Sequence, residues 1–178
     1  MKRLPLLFSV VSLFAPLLCA QTPALRAGAA AVDITPREFP LNMPGGFSAN
    51  LAESAHDPLH SRALVLDDGV VRLALAVVDT LGAGPEVLDE IKQAASEKTG
   101  IPVDRMLISS THTHTGPSHP KEGPAPAVAY RKVFVEGVVA SLVQANAGLK
   151  PAGRDRIMRE ELTSSSSGRV TGILLLLG

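Results

Sequence analysis

The sequence predicts an α/β fold: a mixed β-sheet with a hairpin and a βαβ crossover, helices packed on the sheet, in a partial domain. Three observations lead there. Residues 60–67 and 70–79 are apolar runs joined around Asp68-Gly69, which signals a hairpin with a type I′ turn. A helical pattern over 85–99 and a further apolar run over 105–111 then follow, so strand, helix and strand make a right-handed crossover with parallel strands. A second helical pattern extends from about Ala127 to Ala147.

In order along the chain, Met1-Lys2-Arg3 and the apolar run Leu4 to Leu18 form the charged and apolar regions of a signal peptide, residues 1–20, with cleavage after Ala20. The run is short and interrupted by Pro5 and Pro16, which argues against a membrane span. The expected location is therefore secreted or periplasmic. The single cysteine, Cys19, lies inside the leader, so no disulfide is expected in the mature chain.

Residues 27–35, rich in alanine and closed by Pro36, read as a first strand. Residues 36–59 read as one long loop holding Gly45-Gly46. Those glycines either let backbone approach a ligand or mark plain surface. The run 70–79 is almost wholly apolar, which suits a central strand covered on both faces. Helix 85–99 has Pro85 in its first turn and Gly100 after its end. In helix 127–147 the expected inner face is Val128, Val135, Val138, Val139, Leu142 and Val143, with Phe134 at its edge.

Lys+Arg and Asp+Glu both number 17, so no basic footprint points to nucleic acid. There is no Trp and one Tyr, which removes stacking platforms for bases. No stable protein partner is expected.

Chemistry concentrates at one place. Three of five histidines, His112, His114 and His119, lie in the stretch 109–119. In an extended chain His112 and His114 point the same way, which makes half of a metal site or a pair of solvated loop residues. Topology adds neighbours. Asp79 and His112 end parallel strands at the carboxyl edge, where open α/β sheets bind ligands. The antiparallel run 60–67 brings His56, Asp57 and His60 to the same rim. His60 belongs to the strand pattern, and His119 follows the Gly116-Pro117 bend and reads as a surface residue.

Residues 56–69 (His-Asp-Pro-Leu-His-Ser-Arg-Ala-Leu-Val-Leu-Asp-Asp-Gly), 77–82 (Val-Val-Asp-Thr-Leu-Gly) and 110–117 (Ser-Thr-His-Thr-His-Thr-Gly-Pro) together resemble the N-terminal part of the neutral/alkaline, non-lysosomal ceramidase family. The opening Ala-Gly-Ala-Ala-Ala-Val-Asp-Ile-Thr-Pro fits as well. The resemblance implies a zinc-dependent amidase that splits ceramide into sphingosine and fatty acid, acting on a ceramide-like lipid amide at a membrane or micelle surface. It implies that His112 is a zinc ligand and His114 its active-site companion. Asp79 and His56 are further candidate catalytic residues from the shared rim. The family's remaining ligands, a His, a Glu and a Tyr, lie well downstream.

The resemblance covers roughly residues 27–150, within an expected ceramidase-like part of 21–156; it is lost over 157–178, a divergent tail that reads as truncated or frame-shifted, or as a native linker with a short strand. One zinc site, incompletely liganded, is thus expected, with little or no activity from this chain alone. The alternatives are an exported, non-catalytic binding module that keeps the fold, and a hydrolase of another amide or ester.

Overall fold

A computed structural model describes residues 25–152. The expected leader (1–20) and tail (157–178) lie outside the described residues. Strand β1 spans Arg26–Asp33, and two short strands, β2 (Leu41–Asn42) and β3 (Leu51–Ala52), follow in the connection. Then come β4 (His60–Asp67), β5 (Arg72–Val78), helix α1 (Pro85–Thr99), β6 (Met106–Ser110), helix α2 (Ala125–Ala147) and β7 (Lys150–Pro151). The main sheet has the order β6-β5-β4-β1-β7, and β2 pairs with β3 in a separate two-stranded sheet. Among the described residues only β5 and β6 run parallel; the other pairs are antiparallel. The mixed sheet, hairpin and crossover are those the sequence predicts.

The β4–β5 turn differs in form. Ser61↔Val78 through Asp67↔Arg72 are paired, so the loop is four residues, 68–71, and not a two-residue turn. Its aspartates explain this. Asp68 Oδ1 accepts the N–H groups of Val70 and Val71 at 2.9 and 2.7 Å, and Asp67 Oδ1 accepts that of Gly69 at 2.8 Å. Side-chain acceptors of this kind hold an Asx-type turn open by the extra residues.

Period-two burial along β4 and β5 sets the layers. Ser61, Ala63, Val65, Ala74, Ala76 and Val78 are buried on the face that meets α2. Gly28 of β1 sits on that face, and a Cβ there would overlap the Ala145 carbonyl oxygen. Side-chain-free backbone at Gly28 is what lets the end of α2 lie against β1. Helix α1 packs on α2 through Val87, Ile91 and Ala95, all buried.

Both helices thus lie on one side. The expectation that β5 is covered on both faces is corrected: Leu73 is 43% exposed and Leu107 58% exposed on the far side. The inner face of α2 is corrected too. Val138, Val139 and Leu142 are buried as expected, but the face is centred on Phe134, which is 1% exposed, with Tyr130, Ser141 and Ala145, whereas Val128 is exposed. The helix is apolar nearly all round because it meets both the sheet and α1, so periodicity does not single out one face.

The loop 36–59 also departs from expectation. It folds back on the core through Leu41 and Met43, both buried, and carries the β2–β3 hairpin. Among the described residues, no helix is long and apolar enough to cross a membrane.

A charged network pins the far end of the sheet. Asp67 Oδ2 accepts from Arg72 Nε and Nη2 at 3.1 and 2.8 Å, and Arg72 Nη1 donates to Asn146 Oδ1 of α2 at 3.1 Å. The Gly69 N–H first, then Arg72, hold the Asp67 carboxyl below its ordinary value of 3.8. A depressed carboxylate pKa adds stability that is present above that value and is lost as pH falls through the folded one. Asp67→Asn is expected to destabilise the fold by about 2 kcal/mol near neutral pH, the scale of a lost hydrogen-bonded charge. The gap between variant and parent should close below about pH 3.8. Denaturant unfolding of both proteins across pH 2–7 measures it, and a gap independent of pH counts against the network.

Candidate functional site

The carboxyl edge of the parallel pair β5–β6 organises the site. Val78 pairs with Ser110, so the chains leaving both strands emerge side by side. Thr111 N–H then donates to Val78 O at 3.0 Å, extending the pairing by one residue. Beyond it the strand stops. His112 has φ 60°, a left-handed conformation uncommon for a residue with a side chain. The two histidine rings therefore do not meet because an extended strand aims them alike. They meet because the backbone turns at His112, leaving the ring centroids 5.2 Å apart and the planes at 80°.

His112 Nδ1 lies 2.8 Å from Leu81 O, a carbonyl of the neighbouring β5–α1 loop. A carbonyl can only accept, so Nδ1 carries the proton, and in the neutral ring Nε2 keeps its lone pair. A backbone carbonyl fixing one ring nitrogen and freeing the other is the arrangement that metal-binding imidazoles use. His112 and His114 are both exposed, so a ligand can reach them.

His114 is placed by a third segment. A Cβ on Gly45 would overlap the Cβ and Cγ of His114. Ser118 N–H donates to Asn42 O at 3.2 Å, tying the histidine loop to β2. Of the two readings of Gly45-Gly46, Gly45 is a close-approach glycine, and what it approaches is a site histidine. Gly116 makes a similar close pass over Thr80, buried beneath the loop.

Asp79 caps the next strand. Its Oδ2 accepts the His60 N–H and Arg62 Nη1, each at 2.9 Å, and its own N–H donates to His60 O at 2.9 Å. His60 in turn pairs with Asp33 across β1. Asp33, His60 and Asp79 thus form a row over three strands. His56 and Asp57 pair with each other at 3.3 Å and are almost fully exposed. The structure brings together His112 with His114, and Asp79 with His60 and Arg62. Among the described residues no group of three or more His, Cys, Asp or Glu is placed to hold a metal ion. The rim is therefore a line of polar residues along one edge and not a cluster.

His119 is corrected from a surface residue to a packed one. Its ring stacks on Phe134 with centroids 4.0 Å apart. Burial pushes its imidazole below the ordinary histidine value, against backbone hydrogen bonds that include one at Gly82. Arg131 holds the same loop by donating to His119 O at 3.1 Å while pairing with Glu90 of α1. The alternation of Gly and Pro around His119 conceals this, because the stacking partner lies 15 residues further along, on α2.

Tyr130 is the residue that sequence inspection passes over. It is 2% exposed, and its hydroxyl has no hydrogen-bond partner among the described residues, nor has His60 Nδ1. Burial, and then the charge of Asp79, raise the Tyr130 hydroxyl pKa well above its ordinary value. It is the chain's only tyrosine, which is the one signal that could have marked it.

An α/β sheet with histidines at its carboxyl edge is the class defined so far. No family model matches the chain. The fold is similar to the crystal structure of neutral ceramidase from Pseudomonas aeruginosa, with 23% identity and a TM-score of 0.61 over 72% of this chain and 22% of that one. It is similar also to a ceramidase complexed with C2, at 23% identity and a TM-score of 0.58 over the same shares. This chain thus spans about a fifth of the length of those neighbours, and the likeness is one of fold.

Gly45→Ala is expected to displace His114 while leaving the core in place. Proton NMR of the imidazole resonances should show a changed His114 signal with an unfolding midpoint close to the parent's. An unchanged His114 environment would mean that Gly45 does not set its position.

Proposed function

We propose that this chain contributes one side of a zinc-dependent amide hydrolase centre acting on a ceramide-like lipid amide. The observation that supports this best is the His112 bond to Leu81 O, which leaves Nε2 free beside His114 at the sheet edge. Those two residues fit part of a zinc site in type, tautomer and exposure. A bound zinc would supply an activated water and a polarised amide carbonyl. His112 would hold the metal, and its carbonyl partner would keep the ring from rotating. His114, edge-on to it, would orient the substrate amide or pass a proton at its free ring nitrogen. Asp79 acts as a positioning residue through Arg62 and His60, and His56 has no assigned step. Hydrolysis at useful rates would need donors beyond these two histidines, so this chain alone is expected to have little or none. The N-terminal charged and apolar pattern supports export as the setting.

A second reading is favoured by one specific fact: the described residues offer no three-donor group. On that ground the chain is an exported binding module that keeps the fold without the chemistry.

Metal analysis separates the two. Titrated with zinc, the purified chain is expected to bind the ion weakly, as two histidines would, and His112→Ala to bind it roughly tenfold or more weakly still, the scale on which perturbing a ligand's support acts. The unfolding midpoint without metal should match the parent's. Equal zinc affinity in both proteins, or no saturable binding in either, favours the binding module.

A further inference from the structure

We propose that the tip of the β2–β3 hairpin, carrying Phe47, is an anchor for a lipid surface beside the histidine rim. Three observations converge on it. Phe47 is fully exposed and Leu51 is 61% exposed, on the same hairpin. Residues 39–52 contain no Asp, Glu, Lys, Arg or His, in a chain that is 19% charged. The hairpin is fastened to the rim, since Gly45 abuts His114 and Asn42 O accepts from Ser118. Phe47 is therefore two residues from a direct contact with a site histidine.

The choice of a lipid surface over a protein follows from shape and charge. One phenylalanine on a Gly-Gly-Phe-Ser turn offers about 200 Å² of apolar surface. A stable protein interface needs about 800 Å² from each partner, in a broad patch. A bilayer interface makes no such demand, because a single ring can sink into the headgroup boundary. Partition there penalises charged neighbours, and this segment has none. The inference extends the amidase reading by saying how a lipid amide would reach the rim. Its test needs no turnover, so either can fail without the other.

The chain has no tryptophan, so Phe47→Trp makes the tip its only indole fluorophore. With phosphatidylcholine vesicles, the emission of the full-length variant is expected to move to shorter wavelength and to be quenched by lipids brominated in the acyl chain. High salt should leave both effects in place. In vesicle sedimentation of the otherwise unaltered chain, Phe47→Ser should lower the partition constant roughly tenfold to a hundredfold, the equivalent of withdrawing one phenylalanine from apolar surroundings. Val70→Ser removes an apolar side chain that is 82% exposed in the opposite turn of the sheet, and should have no effect. Three results would overturn the proposal: emission indifferent to millimolar lipid, equal losses from Phe47→Ser and Val70→Ser, or a shift that follows protein concentration without lipid, which would place a second copy on Phe47.

Discussion

The parallel pairing of β5 with β6 is the constraint on which the rest of the candidate site depends. Antiparallel neighbours would send consecutive connections to opposite ends of the sheet. The parallel pair instead delivers the 79–84 and 111–124 loops to one end, with Val78 opposite Ser110. Only then can the Leu81 carbonyl come within 2.8 Å of His112 Nδ1. The antiparallel β4 completes the edge by starting where β5 stops, which sets His60 beside Asp79. Holding His112 at φ 60° costs about 1–2 kcal/mol for a residue with a Cβ. The hydrogen bond to Leu81 and the packing of Gly116 over Thr80 work against that cost.

The legible parts of the fold were those with punctuation. Asp68-Gly69, Gly84-Pro85, Gly100 and Gly148 bracket periodic runs, and α1 falls on Pro85–Thr99 as its pattern predicts. Strand β4 likewise spans His60–Asp67. What escaped was information held between segments distant in sequence. Nothing in Gly45-Gly46 announces that its neighbour is His114, 69 residues later. Nothing around His119 announces Phe134 as a stacking partner. The pairing of His112 and His114 was expected for a reason that the backbone does not follow. A left-handed residue, and not an extended strand, sets the two rings against each other.

The apolar runs of β4 and β5 show a related ambiguity. Continuous hydrophobic sequence means that both faces of a strand carry apolar side chains; it does not say what meets the second face. Here α2 covers one face, while Leu64, Leu66, Leu75 and Val77 are half-buried on the other and Leu73 and Leu107 are exposed. Helix α2 has the same property in helical form. Because α1 and the sheet both press on it, valines on several sides satisfy the pattern, and the large ring of Phe134 takes the centre. Periodicity found Val138, Val139 and Leu142 but set Phe134 at the edge and put Val128 inside.

Charge balance governs what the rim can hold. Imidazoles bring donor atoms but no negative charge, so His112 and His114 leave a divalent cation's charge uncompensated. The nearest carboxylate on the adjoining strand is Asp79, and its Oδ2 already serves Arg62 and the His60 N–H at 2.9 Å each. Both bonds fall on one oxygen, so Oδ1, the second oxygen of that carboxylate, is not spent on them. Asp79 can thus hold the sheet edge through one oxygen while the other is not committed to those bonds, so the chemistry proposed for His112 does not have to draw all its negative charge from outside the row.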